Sequence, residues 1–272
     1  MPTQNETEQS AGARAPLRVL HEPEVYLVGR QVVDDSEIQR FLDDHQATWS
    51  TDTEVGAEAL AEAGGRLCYM SFGKGRKTNR EFLEHIVEVG HGSVLEHAVW
   101  NFVFTGVSRS LTHELIRHRA GFGYSQLSQR YVNESEAPFI QPDCIAADPA
   151  LDALWREAVD GARRAYDALV AGLERKFSDV EDRTLRRKMA RQAARSVLPN
   201  ATETRIFVTA NARALRHFIE MRGSVAADEE IRKLALKVLA IMQGESPNLF
   251  GDYRIETLPD GTRVASTPHG KV

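Results

Sequence analysis

The sequence predicts an α+β fold, a single domain in which a mixed sheet packs against long amphipathic helices. Two observations carry this. Strand-like stretches rich in β-branched and aromatic residues alternate with helical patterns, and helical stripes dominate the second half. No linker rich in Pro, Ser or Gly interrupts the middle, which favours one domain. The expected limits are a disordered tail over residues 1–16, one domain over 17–255 and a C-terminal tail over 256–272.

Each element has its own signal. "EVYLVGRQVV", from Glu24, alternates like a strand. Apolar residues three and four apart mark helices at "DSEIQRFLDDH", "TEVGAEALAEAGGRLCYM" and "NREFLEHIVEVG", the first with Asp34, Asp35 and Ser36 as candidate caps. "VWNFVFTGV", Val99 to Val107, reads as a strand, and Ser108 can cap a helix running to about Arg117. Behind Pro149, a stripe through Leu151, Leu154, Trp155, Val159, Ala162, Tyr166, Leu169 and Leu173 predicts a long amphipathic helix. "VEDRTLRRKMARQAARSVL" is a second helix, stopped by Pro199. "TETRIFVTANA" reads as a strand, followed by helices at "ARALRHFIEMRG" and "ADEEIRKLALKVLAIMQG".

Composition narrows the function classes. With 272 residues and 42% hydrophobic residues the chain can bury a substantial core. A net charge of -5, from 34 basic and 39 acidic residues, leaves no global positive field, so nucleic acid is not the expected partner and any anion site must be local. Cys68 and Cys144 form no CxxC pair and suit a reducing cytoplasm. The polar start "MPTQNETEQSAGARAP" lacks the apolar core of a signal peptide or membrane anchor.

Within this acidic chain, "RHRAGFGYSQLSQRY", Arg117 to Tyr131, concentrates Arg117, His118, Arg119 and Arg130 around a loop with Gly121 and Gly123. Arginine offers a planar donor fork that matches phosphate oxygens in pairs, and glycine lets backbone approach a ligand. The competing reading is a solvated cationic helix end, favourable to the helix dipole. Arg195, Arg213 and Arg222 each fall at an element boundary, where they can converge on a cleft or merely cap; Gly223 makes a C-terminal cap the natural competing role for Arg222. In "HGSVLEH", Ser93 and Glu96 have capping-box spacing, while His91 is either a satisfied polar residue or a ligand contact.

Other motifs fail on spacing. "HELIRH" separates His113 from His118 by five residues, about 140° around a helix, so the two cannot share a metal as in HExxH. "GFGYSQ" has Gln126 where a dinucleotide fingerprint has its third glycine, and "GKGRKT" is a basic turn without P-loop spacing. Cys68 is expected on a helix's inner face as a small hydrophobe, and Cys144 has no neighbouring base to activate it.

Taken together, "HGSVLEH", "RHR…YSQLSQRY", "ARSVLP", "NARALRHFIEMR" and "EEIR" resemble, in this order over roughly Leu20 to Phe250, the flavin-dependent thymidylate synthases. The resemblance implies a homotetramer with shared active sites that methylates dUMP to dTMP. Methylenetetrahydrofolate is the implied carbon donor, NADPH the reductant and FAD the hydride carrier. It places His91, Ser93, Glu96, Arg117, His118, Arg119, Asn211, Arg213 and His217 on flavin-contacting positions, and Glu114, Arg117, Gln126, Leu127, Ser128, Gln129, Arg130, Arg195 and Arg222 on those contacting dUMP, with Gln126 touching both. Three departures stand out: one extra residue between Arg119 and Ser128, placed within Ala120–Gly123; Ala226 where the family often has histidine; and Glu114 where it often has glutamine.

The implied chemistry centres on Ser128 and Arg222. Ser128 has no adjacent histidine and acid, so it is a weak nucleophile and is expected to position the pyrimidine while arginines and backbone amides polarise it. The alternatives are a non-catalytic, nucleotide-binding regulatory protein without flavin, and a metal-dependent hydrolase, which the failed HExxH spacing disfavours.

Overall fold

A computed structural model describes residues 15–271; the tail expected over 1–16 lies, but for its last two residues, outside them. The architecture is α+β. Short strand β1 (Val19–Leu20) precedes β2 (Glu24–Gly29). Helix α1 (Asp35–Asp44) starts where the Asp34 carboxylate accepts from Glu37 N at 3.2 Å. Helices α2 (Gly56–Cys68), α3 (Asn79–Glu88) and the single turn α4 (Gly92–Leu95) follow and bury their apolar sides against the sheet.

The sheet is built on β3 (Val99–Ser108), whose even positions Trp100, Phe102 and Phe104 are buried. Ser108 caps α5 (Arg109–Leu115), its Oγ accepting from Leu111 N at 2.9 Å, as its spacing predicts. Next come β4 (Phe122–Gln126), β5 (Phe139–Ile140), α6 (Asp143–Ala146) and the long helix α7 (Pro149–Lys176), capped by Asp148. Helix α8 (Arg183–Ala194) ends in a 3-10 turn, Arg195–Val197, before β6 (Glu203–Asn211). Then α9 (Ala212–Arg222), α10 (Glu229–Glu245), α11 (Pro247–Phe250) and strands β7 (Arg254–Thr257) and β8 (Arg263–Ser266) complete the described chain.

The principal sheet has the order β2-β3-β6-β4 and every neighbouring pair is antiparallel. A mixed sheet was the expectation, and the reason for the difference is topological. Strands β3 and β4 run the same way, but β6 inserts between them and opposes both. The parallel pairing is confined to the separate β1–β5 ribbon.

One face of this sheet carries the core. Ile206, Val208 and Ala210 of β6 join the β3 aromatics against Leu215, Phe218 and Ile219 of α9 and Leu234, Val238 and Leu239 of α10. Because strand side chains alternate, this period-two burial sets which β6 residues can face the helices.

Two segments depart from expectation. The glycine-rich stretch after Arg119 is a strand, β4, because Phe122 to Gln126 pair with Ala210 to Ile206. Phe122 and Tyr124, two apart, stack with ring centroids 5.6 Å apart. The segment 256–272, expected as a tail, contributes to the β7–β8 hairpin, held to the main body where Ala265 N donates to Gly223 O at 2.8 Å. Among the described residues, no helix is long and apolar enough to cross a membrane.

Candidate functional site

The loop after α5 is built from its own sequence. Tyr124 OH donates toward the carbonyls of Leu115 at 2.9 Å and His118 at 2.7 Å, pinning the Arg117–Arg119 run to the strand that follows. Burial raises the Tyr124 pKa, so the phenol stays a donor. Gly121 has φ +72°, and a Cβ there would lie 2.6 Å from the Asn211 amide, so only glycine fits both the backbone and the gap. Its carbonyl accepts from Asn211 N at 3.1 Å. Asn211 in turn caps α9, its Oδ1 accepting from Ala214 N at 2.8 Å. The cationic loop is thereby fastened to the positive end of a helix.

Between these two elements lies a cavity of about 1080 Å³, lined by Glu96, Arg117, His118, Arg119, Gly121, Phe122, Asn211, Arg213, His217, Met221 and Arg222 among others. One turn apart on α9, Arg213 and His217 share a face. Two of the arginines are paired: Arg213 with Glu96 at 2.6 Å and Arg222 with Glu114 at 2.8 Å. Arg117 and Arg119 make no ion pair among the described residues. The site thus keeps free positive charge at a helix N-terminus, with Phe122 and Met221 as apolar surface, an arrangement suited to a phosphorylated ligand carrying a planar ring.

His118 is the hinge of the electrostatics. Arg222 Nε donates to its Nε2 at 3.1 Å, so that nitrogen is an acceptor and the neutral ring carries its proton on Nδ1. Burial, then the charges of Arg222, His217 and Arg117, lower its pKa to about 4. Glu114 moves the other way: burial and a hydrogen bond with Asp228 raise its pKa, against the pull of Arg222. Arg222 is therefore not a simple cap. Its guanidinium reaches two side chains of the α5 region, and Gly223 has φ -78°, outside the left-handed region that a glycine cap uses.

The structure divides the sequence-predicted residues. Glu96, Arg117, His118, Arg119, Asn211, Arg213, His217 and Arg222 line the one cavity, and Glu114 stands behind Arg222. His91 and Ser93 instead line a second cavity of about 550 Å³, with Arg66, Phe82 and Cys68. Gln126, on β4, donates to Thr112 Oγ1 at 3.1 Å and Thr204 Oγ1 at 3.3 Å. Leu127 N donates to Arg205 O at 2.9 Å. Ser128, Gln129 and Arg130 form the turn after β4, where Ser128 Oγ accepts from Arg130 N at 3.4 Å and Gln129 is buried. Arg195 lies in the 3-10 turn, close enough to Arg109 to help lower its pKa, behind burial as the main cause. Within one chain, then, Ser128 to Arg130 and Arg195 do not line the Arg117–Arg222 cavity.

Two local expectations are corrected. Ser93 and Glu96 make no capping box. The α4 turn is four residues long and begins after His91, so Glu96 is its C-cap and its carboxylate turns to Arg213. Cys68 is exposed, its Sγ 3.4 Å from Gly64 O, because it ends α2 instead of facing the core. Sequence reading also missed Phe122, Met221 and Lys271 as cavity residues. For Phe122, the alternation with Tyr124 was the available signal.

Comparison with known proteins identifies a family. The family profile described as Thymidylate synthase complementing protein matches residues 51–248. A relative named flavin-dependent thymidylate synthase, from Mycobacteroides abscessus, is 54% identical over 231 residues, covering 84% of this chain and 92% of the relative. One of the same name from Mycolicibacterium gilvum is 55% identical over 223 residues, covering 81% and 88%. Another, from Mycobacterium tuberculosis, is 52% identical over 231 residues, covering 84% and 92%.

Proposed function

The chain belongs to the thymidylate synthase complementing protein family, and on that premise we propose that it is a flavin-dependent thymidylate synthase. In this reading it methylates dUMP to dTMP, with methylenetetrahydrofolate as carbon donor and NADPH as reductant. The observation that carries the reading is the convergence of Arg117, His118, Arg119, Asn211, Arg213, His217 and Arg222 on one cavity.

The residues present fit FAD. Uncompensated Arg117 and Arg119, beside the N-terminus of α9, suit a pyrophosphate, and Phe122 and Met221 offer surface to a ring system. Hydride carriage is the chemistry FAD supplies when bound.

The protein's own residues do the rest by position and charge. Arg222, held by Glu114 and His118, presents a fixed guanidinium to the pyrimidine, where a preorganised donor polarises a carbonyl without reorganisation during reaction. His118, neutral with Nε2 engaged by Arg222, orients that arginine instead of donating a proton. Ser128 has no base beside it and acts by positioning.

Placement of His91 and Ser93 in a separate cavity supports a homotetramer with shared sites. A second chain would bring that surface to the Arg117 cavity of the first, along with Ser128 and Arg195 of another. The same reading places the enzyme in the cytoplasm, with soluble substrates.

The test is direct. Purified protein should carry a flavin visible spectrum and release tritium from dUMP labelled at carbon 5 in an NADPH-dependent reaction. Colourless protein that binds dUMP without releasing tritium would replace this reading with a nucleotide-binding regulatory role.

A further inference from the structure

Lys271 lines the same cavity as Arg117 and Arg119, contributed by the segment that follows the β7–β8 hairpin. This segment is held by a buried charge. Arg216, only 2% exposed, donates from its guanidinium to Asp252 at 2.7 and 2.8 Å, to Leu249 O at 2.7 Å and to His269 O at 3.3 Å, and lies 4.8 Å from the Tyr253 ring. Thr267 Oγ1 donates to the same Asp252 carboxylate and accepts from His269 N at 3.1 Å. Beyond it the backbone runs close over Glu220: a Cβ on Gly270 would lie 2.9 Å from Glu220 Oε1, and Lys271 N donates to Glu220 Oε2 at 3.0 Å.

Charge accounting within the cavity then singles out Lys271. Arg213 and Arg222 are engaged by Glu96 and Glu114. Among the described residues, Arg117, Arg119 and Lys271 are the lining cations without an ion pair. Two come from the loop after α5, the third from the segment after β8.

We propose that the segment Thr267–Lys271 is a built wall of the cofactor cavity and that Lys271 contributes a cation to the pyrophosphate of the bound dinucleotide. The inference rests on the reading of this cavity as the flavin site. Lys271 is assigned to the dinucleotide because it shares the cavity with Arg117 and Arg119, the other unpaired cations, beside the N-terminus of α9, whereas Ser128, Gln129, Arg130 and Arg195, expected on dUMP, lie outside this cavity. The Arg216 anchor makes the position of the cation a property of the fold, so little ordering is left for binding to impose.

The experiment is titration of flavin-free protein with FAD, followed by flavin fluorescence, and separately with dUMP, followed by calorimetry. Lys271 is exposed, so its variants keep the fold. Lys271→Ala should weaken FAD binding about fivefold and Lys271→Glu about tenfold or more, while dUMP affinity stays within about twofold. The FAD difference should shrink in high salt, since the contact is at the surface. Thr267→Val, which loosens the anchor without touching the charge, should weaken FAD binding in the same direction and speed amide exchange over residues 268–271. Unchanged FAD affinity in Lys271→Glu, or an equal loss for dUMP, overturns the proposal while leaving the flavin reading intact. Wild-type protein that binds no FAD overturns both.

Discussion

Arg222 Nε donates to Nε2 of His118 across 3.1 Å, tying the last residue of α9 to the loop that follows α5. The same guanidinium reaches Glu114 at 2.8 Å, so one arginine couples two elements far apart in sequence and adds to the burial that keeps the imidazole neutral.

Arg222→Ala should leave the protein folded and cost about 2–5 kcal/mol in dUMP binding or in the barrier to turnover, because it strands a partly buried Glu114 as well as removing a substrate contact. Steady-state kinetics and the melting temperature check this. Wild-type kinetics in the variant would reduce Arg222 to a structural tie.

The pH dependence of His118 has a definite sign. With a folded pKa of about 4, below the ordinary 6.5, His118 contributes stability that is fully present above pH 6.5 and is lost as pH falls through about 4. An NMR titration of His118 should show no protonation at pH 6.5, and Arg222→Ala should move its pKa upward. A His118 that titrates at the ordinary value in the wild type contradicts the assignment.

Ser128→Ala should keep FAD bound and retain measurable dTMP formation, since the Ser128 hydroxyl meets a backbone N–H and no base. Mass spectrometry of stalled wild-type enzyme is the complementary check. A covalent Ser128 adduct there, with complete loss in the variant, would make the serine the nucleophile.

Glu134 is buried, and burial lifts its pKa to about 7 against the attraction of Arg109. Its neutral form therefore stabilises the fold below pH 4.5, and that contribution is lost as pH rises through about 7. Glu134→Gln should flatten the fall in melting temperature between about pH 4.5 and 7. The same slope in the variant would place the titrating group elsewhere.

Arg216→Met should destabilise the protein by about 3–5 kcal/mol, because it leaves Asp252 without its guanidinium partner in a low-dielectric site. Denaturant unfolding measures it. A cost below about 1 kcal/mol, the level of surface pairs, would mean that the pair is effectively solvated.

Much of the fold was legible in local pattern. The α7 helix, the Asp34 and Ser108 caps and the alternation of β3 and β6 depend on neighbours within one or two turns and form as their spacing predicts, although Leu151, Leu154 and Leu169 of the α7 stripe stay exposed. Other features depend on partners remote in sequence. Strand β4 exists because β6 offers it an edge, and nothing within Gly121–Gln126 announces that edge. Glu96 had the spacing for a cap, but a one-turn helix left its carboxylate free for Arg213.

The sequence by itself determined the helices, the two central strands, a local positive site in an acidic chain, and a series of motifs in a recognisable order. Tertiary structure alone decided which of the cations stay available to a ligand. An ion pair needs two groups within a few ångströms, and packing brings Glu96 to Arg213, Glu114 to Arg222 and Asp252 to Arg216 while leaving Arg117, Arg119 and Lys271 facing the cavity.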